Sequence, residues 1–255
     1  MVFAFHLLQQ LWQCGGRVLI QPCSHVGHLF RSASPYTFPR EGGVGSVLQQ
    51  NFARVAEVWM DQWKEFFYKL NPGEPRSPVG SDLGIHHVLS SIKHHLRESV
   101  LKCRGFEYFL KEAWDEHFMP NASRIVGQIV NAHFPSRCLQ RVAPNDEVQV
   151  ADCVQPGKMW YPPQIFIGTE KGMIRGDEAT CLDSPDERRV FAATCIAQNV
   201  NQQWKMKNGM FVHSASSLCL DLSSTNKKAV LRSCDVSVQQ QYWTFQSLPW
   251  EVRVD

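Results

Sequence analysis

Cys181-Leu182-Asp183 opens a segment that closes at Cys195 and is followed by Gln202-Gln203-Trp204. The same order returns as Cys219-Leu220-Asp221, Cys234 and Gln241-Tyr242-Trp243. An earlier copy reads Cys138-Leu139-Gln140 and Cys153, with Gln155 to Trp160 as the nearest remnant of the closing motif. The openings lie 43 and 38 residues apart, and the Cys-to-Cys spacings are 15, 14 and 15. Self-similarity at a fixed period marks supersecondary units that bury their apolar faces against one another. Three copies with few helix signals predict a closed three-fold β architecture.

The residues between the motifs read as short strands. Val148 and Val150 alternate with polar positions, as do Met210 and Val212, and Val230-Leu231 lead into Cys234. Such runs, broken by Gly, Asn, Asp and Ser, suit a small barrel. The Trp of each Gln-x-Trp brings a large apolar area inward. The Gln beside it can satisfy backbone groups that burial would strand.

The chain has nine cysteines. Three in-repeat pairs use six and leave Cys14, Cys23 and Cys103. Regular pairs in a loop-rich domain point to an oxidising compartment, the secretory lumen. Asn121-Ala122-Ser123 is an N-glycosylation sequon that agrees with this. Met1 to Trp12 has neither a basic start nor a small-residue cleavage site, and no apolar run is long enough to span a membrane. The net charge is +2 with scattered Arg and Lys, which gives no nucleic-acid footprint.

Upstream, Phe52, Val55, Trp59, Trp63 and Phe66 follow a three-to-four spacing. They predict one helix from near Ser46 to the breaker Asn71-Pro72-Gly73, with aromatic area exposed if nothing covers it. A second helix includes Phe106, Phe109, Leu110 and Ala113. His86-His87 and His94-His95 have helical spacing but no completing carboxylate or thiol, so a solvated face explains them better than a metal.

The region from Ile125 to Gln246 resembles the ricin-type β-trefoil lectin domains, with repeats α, β and γ. Trp12-Gln13-Cys14-Gly15-Gly16, Pro22-Cys23-Ser24-His25-Val26-Gly27-His28-Leu29-Phe30-Arg31, Ser34-Pro35-Tyr36-Thr37-Phe38-Pro39 and Ala56-Glu57-Val58-Trp59-Met60-Asp61 extend the likeness. Together they resemble the polypeptide N-acetylgalactosaminyltransferases, which move GalNAc from UDP-GalNAc to Ser or Thr with retention, using Mn²⁺.

The resemblance implies a mixed, mainly β chain. Residues 1–118 would be a largely helical remnant of a GT-A α/β catalytic domain, 119–124 a linker, and 125–247 the trefoil. It implies His28 as one of three metal ligands, since imidazole and oxygen donors suit a divalent ion on a diphosphate. Arg31 would contact the diphosphate, and Tyr36 would belong to a loop over the donor. Ser34 stands where many members have His. No Asp-x-His precedes Cys14, and the family's Trp-Gly-Gly-Glu-Asn segment has no match in Ala4 to Gln10. The nucleotide-binding half is thus expected outside this sequence, and Mn²⁺ is not expected to bind this chain alone. The resemblance also implies a Cys14–Cys103 disulfide and leaves Cys23 unpaired. Its members work in the Golgi lumen on Ser/Thr peptide and glycopeptide acceptors.

Two functions follow: one part of a glycosyltransferase, or a noncatalytic product whose trefoil binds GalNAc or a partner. In the family the Asp of Cys-Leu-Asp and the Asn before Gln-x-Trp hold the sugar. Here the β repeat offers Asp183 and Asn201. The γ repeat offers Asp221 with Gln240, a weaker pair, and the α repeat has Gln140. The usual stacking position, two before the second Cys, holds Ala151, Ala193 and Arg232, so GalNAc is expected to bind weakly. The Asp residues could equally close turns at strand ends.

Overall fold

The computed structural model describes residues 10–19, 21–25, 27, 43–71, 95–114, 117–121, 124–155, 160–223 and 227–248. They fall into two compact units, Met1–Asp115 and Glu116–Asp255.

The second unit is built of twelve strands in three similar sets. The α repeat holds β1 (Ile125–Asn131), β2 (Arg137–Gln140), β3 (Gln149–Asp152) and β4 (Phe166–Gly168). The β repeat holds β5 (Ile174–Arg175), β6 (Thr180–Asp183), β7 (Phe191–Thr194) and β8 (Trp204–Lys207). The γ repeat holds β9 (Met210–His213), β10 (Cys219–Leu222), β11 (Ala229–Arg232) and β12 (Trp243–Ser247).

First and fourth strands form the barrel wall. Strand β1 pairs antiparallel with β12 and β4, β4 with β5, and β8 with β9. The circuit is completed at two turns: Trp204 N–H donates to Gly172 O at 2.8 Å and Trp243 N–H to Gly209 O at 2.9 Å. Gly172 has φ +81°, and a Cβ there would lie 2.8 Å from Trp204 O. Only glycine allows both that turn and that approach. The hairpins β2–β3, β6–β7 and β10–β11 meet one another. Val148 N–H donates to Val190 O, Ala229 N–H to Val148 O, and Leu231 N–H to Arg188 O.

The core inside is aliphatic and aromatic, with Leu139, Leu182 and Leu220 of the three Cys-Leu motifs fully buried beside Phe166, Trp204 and Trp243. Each repeat carries one disulfide: Cys138–Cys153, Cys181–Cys195 and Cys219–Cys234.

The closing motif of the α repeat is not the stretch from Gln155 to Trp160 but Gln164-Ile165-Phe166. Three glutamines make one set of bonds. Gln164, Gln202 and Gln241 each accept from a backbone N–H just past the second Cys, namely that of Val154, Ile196 and Asp235. Each donates to the carbonyl before that Cys, of Asp152, Thr194 and Ser233. Each also donates to the third residue of the opening motif, Gln140, Asp183 or Asp221. Phe166 replaces Trp and loses only its N–H: Trp204 and Trp243 donate from Nε1 to Leu182 O and Leu220 O.

In the first unit the single helix expected between Ser46 and Asn71 is two helices, Gly43–Trp59 and Lys64–Leu70, joined by a short 3-10 turn at Asp61–Trp63. The break falls at Asp61, which has φ +46°, a left-handed conformation that cannot continue a helix. Asp61 is held there by Arg97 and by the N–H of Phe106 at 2.6 Å. The helix Phe106–Glu112 packs against one of the aromatics expected to be exposed. Trp63 and Phe66 are buried, and Trp63 meets the Phe106 ring edge-on with centroids 5.7 Å apart. A disulfide joins Cys14 to Cys103, and Cys23 is free and exposed.

Candidate functional site: the end of strand β6

Asp183 ends β6 and faces Phe191 of β7 in register, while Leu182 faces Ala192 in the core. Side chains alternate across a sheet, so Asp183 and Phe191 share the outer face, with Cβ atoms about 5 Å apart for such a pair. Asp183 is 6 % exposed. Its Oδ2 accepts from Gln202 Nε2 at 2.7 Å. Its Oδ1 is buried without a partner, as is the hydroxyl of Ser184 beside it. Native proteins rarely leave a buried carboxylate oxygen unpaired. An oxygen so placed has the capacity to accept one further donor.

Asn201 reaches the same spot. Its carbonyl accepts from Ser184 N–H at 3.1 Å, which ties the loop before Gln202 to the end of β6. Its side chain is half-exposed. Asp183, Ser184, the Asn201 backbone and the half-buried Phe191 thus lie at one strand end. Asp183 and Asn201 are the residues expected from the motifs, whereas the aromatic stands at Phe191 and not at the expected position, Ala193. Alternation on β7 puts residues 191 and 193 on one face, and that was the available signal.

Arg189 sits over the Phe191 ring, 5.1 Å from its centroid. The guanidinium is kept there by Asp186 at 2.7 Å and Glu147 at 3.7 Å. The N–H groups of Arg189 and Arg188, with the Arg189 side chain, hold the Asp186 carboxyl below its usual range.

The γ repeat repeats this only in part. Asp221 is buried, and its Oδ2 accepts from Gln241 Nε2 at 3.1 Å. Val230 lies opposite it in register, so no aromatic face is offered. The α repeat is filled: Arg141 follows Gln140, pairs with Asp177 and donates to Pro162 O at 3.1 Å. Burial pulls the Arg141 guanidinium below its ordinary value, and Asp177 partly offsets this. The two terminal nitrogens of this guanidinium are thus spent on the protein, and the side chain occupies the space beside Gly176.

His28, Arg31, Tyr36, His86, His87 and His94 lie outside the described residues. His95 is exposed and meets Ser99 Oγ at 3.2 Å. Among the described residues no group of three His, Cys, Asp or Glu could hold a metal ion, and no helix is long and apolar enough to cross a membrane.

Residues 125–243 match the ricin-type beta-trefoil lectin domain. The chain is 30 % identical over 316 residues to polypeptide N-acetylgalactosaminyltransferase 3 of Drosophila melanogaster, covering 95 % of this chain and 46 % of the relative. It is 38 % identical over 176 residues to polypeptide N-acetylgalactosaminyltransferase 13 of Homo sapiens, covering 68 % of this chain and 29 % of the relative. The crystal structure of GalNAc-T7 with UDP, GalNAc and Mn²⁺ matches with a TM-score of 0.52 at 25 % identity, over 95 % of this chain and 43 % of that one. The chain spans less than half the length of these relatives. It belongs to the polypeptide N-acetylgalactosaminyltransferase family and carries a ricin-type β-trefoil lectin domain.

Proposed function

We propose that this chain serves mucin-type protein O-glycosylation, the transfer of GalNAc from UDP-GalNAc to Ser or Thr, and that its own contribution is recognition of GalNAc by the β repeat. The observation that carries the second statement is the buried, unpartnered Oδ1 of Asp183 beside Phe191. A carboxylate accepts from two neighbouring hydroxyls, an amide fixes orientation, and an aromatic face meets the apolar side of the sugar. Asp183, Asn201 and Phe191 supply these parts. Asp221 is the weaker second position.

Family membership supports the wider reading. By that resemblance His28 is a metal ligand and Arg31 and Tyr36 serve the donor diphosphate; the Asn121 sequon suits an N-glycan in the secretory lumen. Mn²⁺ would stabilise the departing diphosphate. No ligand set for it stands among the described residues, so no step is derived through the metal. The second reading, a noncatalytic lectin or docking product, is favoured by the same Asp183 site, which needs no catalytic centre.

Two assays separate the readings. Transfer of labelled GalNAc to a Ser/Thr peptide by the pure chain is expected to be absent, and turnover would refute a purely binding role. Titration with GalNAc and with glucose, followed by ¹H–¹⁵N correlation spectra, is expected to move the amides of residues 183, 184, 191 and 201 with GalNAc. Equal shifts with both sugars, or shifts elsewhere only, would sink the β-repeat assignment.

A further inference from the structure

His213 ends β9, the first strand of the γ repeat, and is fully buried. Its ring lies against Trp204, with centroids 5.1 Å apart. Its Nδ1 is 2.9 Å from Ser216 Oγ and its Nε2 is 3.0 Å from the carbonyl oxygen of Asn201. A carbonyl oxygen only accepts, so Nε2 carries the proton, and Nδ1 faces the Ser216 hydroxyl, which can donate to it. The same carbonyl accepts from Ser184 N–H at 3.1 Å. The backbone of Asn201 is therefore gripped from two sides: by the residue after Asp183, and by a side chain from the next repeat.

The internal symmetry supplies two comparisons. Asn131 ends β1 as His213 ends β9, and its Nδ2 donates to Gln240 O at 3.0 Å. Gln240 precedes Gln241 as Asn201 precedes Gln202. The third position is Gly176, just past β5, which has no side chain to reach with. Arg141 runs through the vacated space, its Cδ 2.0 Å from where a Gly176 Cβ would stand. The grip is thus present where the held residue is Asn201 or Gln240, and absent where it is Pro163. In the α repeat Arg141 braces the loop instead, donating from its backbone N–H to Pro163 O at 2.8 Å and from its side chain to Pro162 O at 3.1 Å; the grip from a neighbouring repeat is a different device. That grip accompanies the repeats whose loop offers an amide.

We propose that His213 is a positioning residue of the β-repeat sugar site: its Nε2–H holds the Asn201 backbone so that the Asn201 amide meets the sugar beside Asp183. The site is then shared between two repeats. This rests on the β repeat being the sugar site. The ring touches no ligand itself and acts through Asn201.

The test is GalNAc titration of the full chain, read from ¹H–¹⁵N spectra, for the unaltered protein, His213→Leu and His213→Gln. Leucine keeps the apolar contact with Trp204 and loses the donor. Glutamine places an amide N–H near the Nε2 position, as Asn131 does with its own amide. His213→Leu is expected to weaken GalNAc binding about fivefold, the worth of one buried hydrogen bond. His213→Gln should stay within about twofold. A folded His213→Leu that binds as tightly as the unaltered protein overturns the proposal, as does a folded His213→Gln as weak as the leucine variant. Should His213→Leu not fold, the long-range ¹⁵N–¹H spectrum of the unaltered ring decides: an Nε2-protonated tautomer supports the grip, and an Nδ1-protonated one overturns it. If the unaltered protein gives no shift with GalNAc while the tautomer is Nε2-protonated, the β-site reading fails and the role proposed for His213 falls with it.

Discussion

Gln202 Nε2 donates to Asp183 Oδ2 at 2.7 Å, so the glutamine that braces the trefoil also orients the carboxylate of the proposed sugar site. The same side chain satisfies Ile196 N–H and Thr194 O. Gln202→Ala strands these buried groups, each at about 1–3 kcal/mol. We expect a loss of about 3 kcal/mol in urea unfolding, together with weaker GalNAc binding. Gln164→Ala should cost similar stability and leave GalNAc binding unchanged, because the α repeat is filled by Arg141.

Trp204→Phe tests the indole bond to Leu182 O, at 3.1 Å. The variant copies what Phe166 already does in the α repeat. The apolar volume largely remains, so the change should cost about 1–3 kcal/mol, mainly from one unpaired carbonyl. A loss well above that, measured by the same unfolding curve, would mean that packing and not the hydrogen bond fixes the Trp.

Most of the trefoil was legible because Cys-Leu and Gln-x-Trp name residues whose partners repeat. The α repeat is harder to read because Phe166 stands where the other repeats have Trp. The physical requirement is a glutamine followed two residues later by any large apolar ring, and Gln164-Ile165-Phe166 meets it. Asp183 and Asn201 could be named from spacing. Phe191 and His213 could not, because a strand register and a contact between repeats place them. The helix break at Asp61 was equally hidden: spacing carried the apolar face through it, and only the distant partners Arg97 and Phe106 N–H explain the left-handed turn.

Phe191 and Arg189 make opposite predictions. Phe191→Ala removes the aromatic face and should weaken GalNAc binding several-fold, measured by titration. Arg189→Ala frees that face from the cation lying over it. It should tighten binding about two- to fivefold. Weakening by both changes would show that Arg189 itself contacts the sugar.

Cys23 is the one free cysteine and is exposed, while the other eight are in disulfides. A maleimide under native, non-reducing conditions should add one label per chain by intact mass, on the peptide holding Cys23. Two or more labels would break the pairing described. Removing the Cys181–Cys195 bridge by a double Ala substitution should cost about 3 kcal/mol, the value for a loop of this length.

The central claim is that the β repeat holds the sugar. GalNAc titration of Asp183→Ala and Asp221→Ala measures it most directly. With one aromatic face and one unpartnered but buried carboxylate oxygen, the unaltered chain should bind at about millimolar. Asp183→Ala should lose about tenfold or more, since bonds to a charged acceptor are worth about 1.5–3 kcal/mol, and Asp221→Ala should titrate like the unaltered chain. Loss of binding in Asp221→Ala with full binding in Asp183→Ala would place the sugar in the γ repeat and contradict the account.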